Sequence, residues 1–263
     1  GPLASIVFGG IVFAIVFVIG VPALTAKIGQ VAVGSPAAHA GLVSGDEIVQ
    51  MNDHKIEFWE DARARISETA AAGRPCTVTV RRNGVLVDAS PVPEKQEGKD
   101  ALGDKVERYV IGVAPAGEIK TRRRGPLEAM SVACQETRES ISIAARALKK
   151  LVTGEVAPSK AIGGPIAIAE ISGKAAGMGL LTFLRLIGII SIMLGVVNLL
   201  PLPIVDGGQA VVAGVEYVRG KPLGPTTEQI LNYVGLAMIV WLFAYAMYVD
   251  IWKLSTGQSL IGK

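Results

Sequence analysis

Three long apolar runs divide a chain of 263 residues. Residues 5–24 carry no charged side chain, and similar runs cover about residues 180–202 and 230–248. At about 1.5 Å per residue, 20 helical residues cover roughly 30 Å, which is the thickness of the hydrocarbon core of a bilayer. The pattern therefore predicts three transmembrane helices.

The segment between the first two runs is more polar and alternates between strand-like and helix-like patterns. Gly41 and Gly45 are placed to end a short helix and to turn. A longer helix is predicted over residues 59–72, and Asn83-Gly84 between two β-rich runs predicts a hairpin. We expect a small α+β domain inserted between membrane helices.

Further along, the charged residues 94–105 are predicted to form a loop and residues 109–113 a strand. Residues 126–152 are amphipathic, and their apolar face could lie on the membrane or pack on the helix bundle. Residues 163–169 are predicted to form a flexible entry turn.

The predicted segments are a transmembrane helix at 1–26, the α+β domain at 27–95, a linker with a strand at 96–125, the amphipathic helix and entry turn at 126–178, a transmembrane helix at 179–208, a cytoplasmic loop at 209–227, a transmembrane helix at 228–252 and a tail at 253–263.

Composition supports a membrane protein, because 50% of the residues are hydrophobic and 19% are charged, with a mean hydropathy of +0.45. A net charge of +3 is too small to indicate nucleic-acid binding. The basic cluster at residues 120–124 is interpreted as a solvated loop within reach of anionic lipid headgroups. Cys76 and Cys134 are far apart and have no metal-ligand spacing.

Candidate chemistry follows the second apolar run, where the sequence reads Asn198-Leu-Leu-Pro201-Leu-Pro203-Ile-Val-Asp206-Gly207-Gly208. An ionisable side chain at this depth is costly unless it is paired, hydrated or bound to a cation. Prolines there break the helix and leave backbone groups that need partners other than lipid. Asp206 is therefore the first candidate for a functional residue.

Two resemblances follow from these motifs. Residues 34–56, with a Ser-Pro-Ala start and Gly45-Asp46 before a strand, resemble PDZ domains of bacterial proteases. The opening Gly1-Pro2, the Gly164-Pro165-Ile166 motif and the later string with Asp206-Gly207 resemble, in this order, the RseP type of bacterial site-2 protease. The resemblance implies an α-helical membrane protein with about three transmembrane helices and an inserted α+β PDZ-like domain. Ser5 stands where that family commonly has Asn, and Val205 stands where it has Leu.

Members of that family are intramembrane zinc metalloproteases that cleave transmembrane segments of single-span substrates during regulated intramembrane proteolysis. The resemblance implies that Asp206 is a zinc ligand and that Asn198, Pro201 and Pro203 help to hold the substrate. The alternative for the prolines is a kinked packing helix. Zinc lowers the pKa of its bound water, so that hydroxide can attack a peptide carbonyl.

The family's His-Glu-x-x-His motif is absent from this sequence, in which His39 and His54 both lie in the PDZ-like segment. We therefore expect an amino-terminally truncated piece whose other zinc ligands lie upstream of Gly1. No catalytic residue is assigned in this chain, and by itself it should be inactive. The alternative is a non-catalytic, membrane-anchored PDZ scaffold in which Asp206 pairs with a buried cation such as Arg185, although their separation of 21 positions argues against this.

The PDZ resemblance also implies a peptide groove along one sheet edge. In PDZ domains an extended peptide or a protein terminus adds to such an edge through main-chain hydrogen bonds. The groove is predicted at Ile28, Gly29, Gln30, Val31, Ala32 and Val33, and the alternative is a covered edge that binds nothing. The resemblance implies a multi-pass protein of the bacterial inner membrane whose PDZ-like domain is periplasmic or extracytoplasmic. The weakly basic loop with Arg219 and Lys221 then lies inside.

Overall fold

The structure is a computed structural model that describes residues 1–72, 76–100, 103–155, 163–202 and 204–257. Its contacts divide the chain into two compact units. Gly1–Val21 and Arg123–Lys263 form the first unit, which is helical. Pro22–Arg122 form the second unit, in which most of the secondary structure is strand.

The helices of the described residues are, in chain order, α1 (Pro2–Ile19), α2 (Pro36–His39), α3 (Trp59–Ala71), α4 (Pro126–Thr153), α5 (Pro165–Gly177), α6 (Leu180–Asn198), α7 (Asp206–Arg219) and α8 (Pro225–Ser255). Among them, α1, α6 and α8 are long and apolar enough to cross a membrane. The three predicted spans are thus confirmed by length and composition. The helix α1 ends at Ile19, before the predicted boundary, because Gly20 takes a backbone conformation with φ of 121° and Pro22 follows.

Small residues let α1 and α6 approach closely in the first unit. A Cβ on Gly9 would lie only 2.7 Å from the carbonyl oxygen of Gly188, so a side chain at Gly9 would force the helices apart. Phe13 and Ile192 are fully buried beside this contact. The helix α4 joins them through small side chains such as Ala129, so its apolar face packs on the bundle.

Two segments of the first unit are helical where the sequence predicted none. The predicted entry turn belongs to α5, which begins at Pro165, a residue suited to the first turn of a helix. Most of the predicted loop 209–227 belongs to α7, which ends where Gly220 adopts a left-handed conformation with φ of 67°. The first prediction was wrong because Gly163, Gly164 and Pro165 were read as a turn, and the second because the stretch between two apolar runs was read as a loop.

The strands among the described residues are β1 (Val21–Leu24), β2 (Ile28–Val31), β3 (Glu47–Met51), β4 (His54–Lys55), β5 (Val78–Arg82), β6 (Val85–Ala89), β7 (Glu94–Lys99), β8 (Lys105–Val110), β9 (Val113–Pro115) and β10 (Ile119–Arg122). A four-stranded sheet has the order β4-β3-β5-β6, and the pairs β1-β10, β2-β9 and β7-β8 accompany it. Ile48, Val78 and Val80 from this sheet are buried against α3 residues such as Ile66. Asn83 and Gly84 form the turn of the predicted hairpin, both with positive φ.

Charged segments that were predicted to be loops are partly strands. Residues 94–105 contain β7, which pairs along its length with β8. Lys95 and Glu107 stabilise this hairpin with a 2.7 Å ion pair between neighbouring strands. The predicted strand 109–113 is interrupted at Gly112, where φ is 82°. The basic cluster includes the end of β10, where Arg122 binds Asp61 at 2.8 Å and is not simply solvated.

Candidate metal centre

Asp206 is the first residue of α7, and its side chain is exposed. A Cβ built on Gly1 would lie 1.7 Å from Oδ2 of Asp206, so the carboxylate sits directly against the start of α1. An acidic side chain in the first turn of a helix interacts favourably with the helix dipole. The carboxylate is therefore held where α7 begins and remains open to a ligand.

Gly207 explains how this helix start fits onto the end of α6. A Cβ at Gly207 would lie 2.4 Å from the carbonyl oxygen of Leu200 and 2.5 Å from that of Leu199. No side chain can be added there without moving the backbone. The glycine after Asp206 thus lets the two helix ends contact each other and fixes the place of the carboxylate.

The proline-containing segment leaves α6 at Asn198, which is half-buried. Two tight turns continue the chain, with the Leu200 N–H donating to the carbonyl of Val197 at 3.0 Å. Pro201 is exposed, and the predicted site residue Pro203 lies outside the described residues. The structure thus brings Asn198, Pro201 and Asp206 into one short connection between α6 and α7.

Within the described part of the chain, no group of three or more His, Cys, Asp or Glu side chains is placed to hold a metal ion. His39 and His54 are exposed residues of the second unit. A carboxylate oxygen is a suitable zinc ligand, and a catalytic zinc needs three protein ligands. Asp206 fits the role of one ligand.

Arg185, the cation considered as a partner for Asp206, is engaged elsewhere. It forms a short salt bridge with Glu136 of α4. Both residues belong to the first unit, so this contact ties α6 to α4. The pairing of Arg185 with Asp206, which the scaffold alternative offered as an example, is therefore wrong.

A second acidic residue, Asp250 of α8, was missed by the sequence analysis. It is fully buried and accepts hydrogen bonds from three backbone N–H groups at the start of α5. The signal was present, because Asp250 follows the third apolar run as Asp206 follows the second. The Gly164-Pro165-Ile166 motif proves to be the segment that this carboxylate binds.

The predicted peptide groove along β2 is partly occupied by the chain itself. Gln30 and Val31 pair with Ala114 and Val113 of β9. Ile28 is fully buried, and its N–H donates to the Asp46 carbonyl at 2.7 Å. Ile28 is therefore an interior position, whereas Val33 at the end of the predicted groove is fully exposed.

The buried Asp46 and the partly exposed Arg82 form an ion pair that fastens the Gly41–Gly45 turn of the second unit. Arg82 donates from Nε and Nη2 to the two carboxylate oxygens, both at 2.8 Å, and the Val43 N–H donates at 2.9 Å. Burial alone would raise the pKa of Asp46. The hydrogen bonds from Arg82 and Val43 outweigh burial and hold the pKa below its usual range.

These features define a membrane-embedded protein with one candidate metal ligand beside a proline-broken span. Residues 1–242 match the model of peptidase family M50, and the chain belongs to this family of site-2 proteases. The match to candidate zinc metalloprotease Atu1380 of Agrobacterium fabrum is 32% identical over 100% of this chain and 68% of that protein. Zinc metalloprotease RasP of Oceanobacillus iheyensis is 32% identical over 97% of this chain and 58% of its own length.

Proposed function

We propose that the protein is an intramembrane zinc metalloprotease that cleaves transmembrane segments of single-span substrates, with Asp206 as one zinc ligand. The observation that carries this proposal is the exposed Asp206 carboxylate, held between the start of α1 and the end of α6. Family membership and the names of the relatives support zinc as the metal. Bound zinc would supply a water of lowered pKa as the nucleophile.

The residues around Asp206 are proposed to orient the metal ligand and to hold an unwound substrate. Gly207 fixes the carboxylate by its close approach to the Leu200 carbonyl. Beyond Asn198 the chain leaves the helical pattern, so its backbone groups could pair with an extended peptide. Pro201, and Pro203 by its place in the sequence, would keep this segment from becoming helix.

We expect no peptidase activity from the 263-residue polypeptide by itself, because neither His39 nor His54 stands in a His-Glu-x-x-His motif and Asp206 supplies one ligand. The proposal is therefore tested with the full-length natural protein in proteoliposomes and a single-span substrate. Asp206→Asn should abolish cleavage, whereas Asp53→Asn, a matched change at an exposed residue of the second unit, should not. Full cleavage by the Asp206 variant would overturn the proposal.

The second unit is proposed to be a PDZ-like domain that screens substrates by an exposed peptide or protein terminus. Among the described strands, β9 pairs with β2, and no strand pairs with its other edge. This unpaired edge supports a peptide site beside β9, where main-chain hydrogen bonds could extend the β2-β9 pair. The predicted residues Ile28 to Val33 would then support the groove from behind.

A fluorescent peptide with a free, apolar carboxyl terminus tests this groove by anisotropy. Ala114→Asp in β9, at a half-buried position, should weaken binding by about tenfold or more, because it places a charge beside the proposed peptide. Val85→Asp in β6, at an exposed position of the four-stranded sheet, is the control and should change binding by less than about twofold. Equal effects of the two variants would contradict a groove at β9.

The protein is further proposed to be a multi-pass protein of the bacterial inner membrane, with the second unit on the extracytoplasmic side. Single cysteines at the exposed positions Val33 and Lys221 report the two sides when the exposed Cys134 is replaced by Ser. A membrane-impermeant maleimide should label Val33→Cys in intact spheroplasts and Lys221→Cys after lysis. The opposite pattern would reverse the proposed topology.

A further inference from the structure

Asp250 in α8 is fully buried, yet its carboxylate is surrounded by hydrogen-bond donors. Oδ1 accepts from the Gly164 N–H at 3.1 Å. Oδ2 accepts from the N–H groups of Ile166 at 2.9 Å and Ala167 at 3.0 Å. All three donors belong to the start of α5, so a side chain of one helix caps another helix some 80 residues away.

The start of α5 is shaped for this carboxylate. Its N-cap residue is Gly164, which has no side chain to cap the helix, and Pro165 has no N–H to satisfy. A Cβ on Gly164 would lie 2.4 Å from Oδ2 of Asp250 and 2.7 Å from the Ala246 carbonyl oxygen. The two helices therefore meet at a contact that only glycine permits, and the positive end of the α5 dipole faces the acidic group.

This contact links two helices that lie, along the chain, on either side of the segment carrying the candidate metal ligand. Two residues, Met178 and Gly179, join α5 to α6, and a five-residue turn at 220–224 joins α7 to α8. Asp206 lies where α6 gives way to α7. Within the described residues, α8 packs chiefly against α5, so Asp250 ties together the two ends of the segment that carries Asp206.

We propose that Asp250 is a positioning residue that clamps α8 to α5 and thereby fixes the relative placement of α6 and α7 at Asp206. Its effect on catalysis rests on the proposed protease function, whereas its effect on helix placement does not. Without the clamp, α8 loses its hydrogen bonds to α5, and the close approach of Gly207 to the Leu199 and Leu200 carbonyls is left to hold α7 against α6. Three N–H groups at the start of α5 also lose their partner, which opposes a stable contact.

Distances between spin labels measure this placement directly in the full-length protein, with Cys76 and Cys134 replaced by Ala. One label pair is Ile168 on α5 with Leu236 on α8, and the other is Leu194 on α6 with Val218 on α7, all at exposed positions. Asp250→Ala should broaden both distance distributions. Asp250→Asn keeps one acceptor oxygen and should give an intermediate width, and Gly164→Ala should broaden both through its steric conflict.

Glu228→Gln, at an exposed acidic residue in the first turn of α8, is the control and should leave both distributions unchanged. Unchanged distributions in the Asp250 and Gly164 variants would overturn the clamp. Broadening of the α5–α8 pair alone would overturn the effect on Asp206. Should Asp250→Ala fail to fold, Asp250→Asn and Gly164→Ala carry the same test.

Cleavage kinetics give a second readout. In the folded Asp250→Asn variant, kcat should fall by about tenfold or more, because a shift of about 1 Å at a catalytic group is costly. The KM should change by less than about twofold, since Asp250 is buried in the α5–α8 contact. A rise in KM with unchanged kcat would overturn the positioning role. If the unmodified full-length protein shows no cleavage, the proposed function is refuted. The spin-label distances then remain as the test of the clamp.

Discussion

Adding one methyl group at Gly207 tests how the Asp206 carboxylate is held. In Gly207→Ala the new Cβ would lie 2.4 Å from the Leu200 carbonyl oxygen, whereas ordinary van der Waals contact begins near 3.4 Å. The start of α7 must therefore retreat from the end of α6 by about 1 Å. Asp206, the preceding residue, moves with it.

The magnitude follows from two known costs. Overpacking of this kind typically destabilises a protein by about 1–3 kcal/mol. A misplacement of about 1 Å at a catalytic group can cost about 100-fold in rate. We therefore expect Gly207→Ala to lower the thermal midpoint and to reduce kcat by about ten- to 100-fold.

Gly214→Ala provides a matched control in the same helix. Nothing lies within 4 Å of a Cβ at Gly214, and alanine favours helix over glycine by about 1 kcal/mol. This variant should be as stable as the natural protein or slightly more stable, with unchanged kcat. Thermal unfolding in detergent and cleavage in proteoliposomes measure both quantities. The reasoning is refuted if Gly207→Ala behaves like Gly214→Ala.

Further predictions concern the ion pair of the second unit and a buried hydroxyl of the first. Because Asp46 has a lowered pKa in the folded state, its stabilising contribution is fully present above the unfolded-state pKa near 4. This contribution is lost as the pH falls toward the lower pKa of the folded state, so Asp46→Asn should flatten the decline of stability at acidic pH. Urea unfolding followed by Trp59 fluorescence measures this stability once Trp241 and Trp252 are replaced by Phe. An equally steep decline in that variant would contradict the assignment. The Oγ1 atom of Thr137 is buried without a hydrogen-bond partner in the described structure. Thr137→Val should therefore leave the thermal midpoint unchanged or raise it. A clear drop in the midpoint would show that the hydroxyl has a partner.

The membrane helices could be predicted because their signal is local. A run of about 20 apolar residues identifies a span without knowledge of its neighbours. The Asn83-Gly84 turn is equally local, since its two residues tolerate the positive φ that the hairpin requires. Asp206 could be singled out because an acidic residue beside an apolar run is unfavourable unless it has a role.

The contacts that surround Asp206 could not be predicted, because they join residues distant in sequence. Gly207 looks like an ordinary glycine until the Leu199 and Leu200 carbonyls are seen beside it. Likewise, the partner of Asp250 is a set of backbone N–H groups, which have no signature in the sequence. The helix α5 was missed because Gly164 and Pro165 at its start were read as a turn, and α7 was missed because the stretch between two apolar runs was read as a loop.

The most direct test of the central claim is the zinc content of the purified full-length protein and of its Asp206→Asn and Asp53→Asn variants. The account predicts about one tightly held zinc per polypeptide in the natural protein and in Asp53→Asn, and a loss of zinc or a much weaker affinity in Asp206→Asn. Zinc bound with unchanged stoichiometry and affinity in Asp206→Asn would contradict the assignment of Asp206 as a metal ligand.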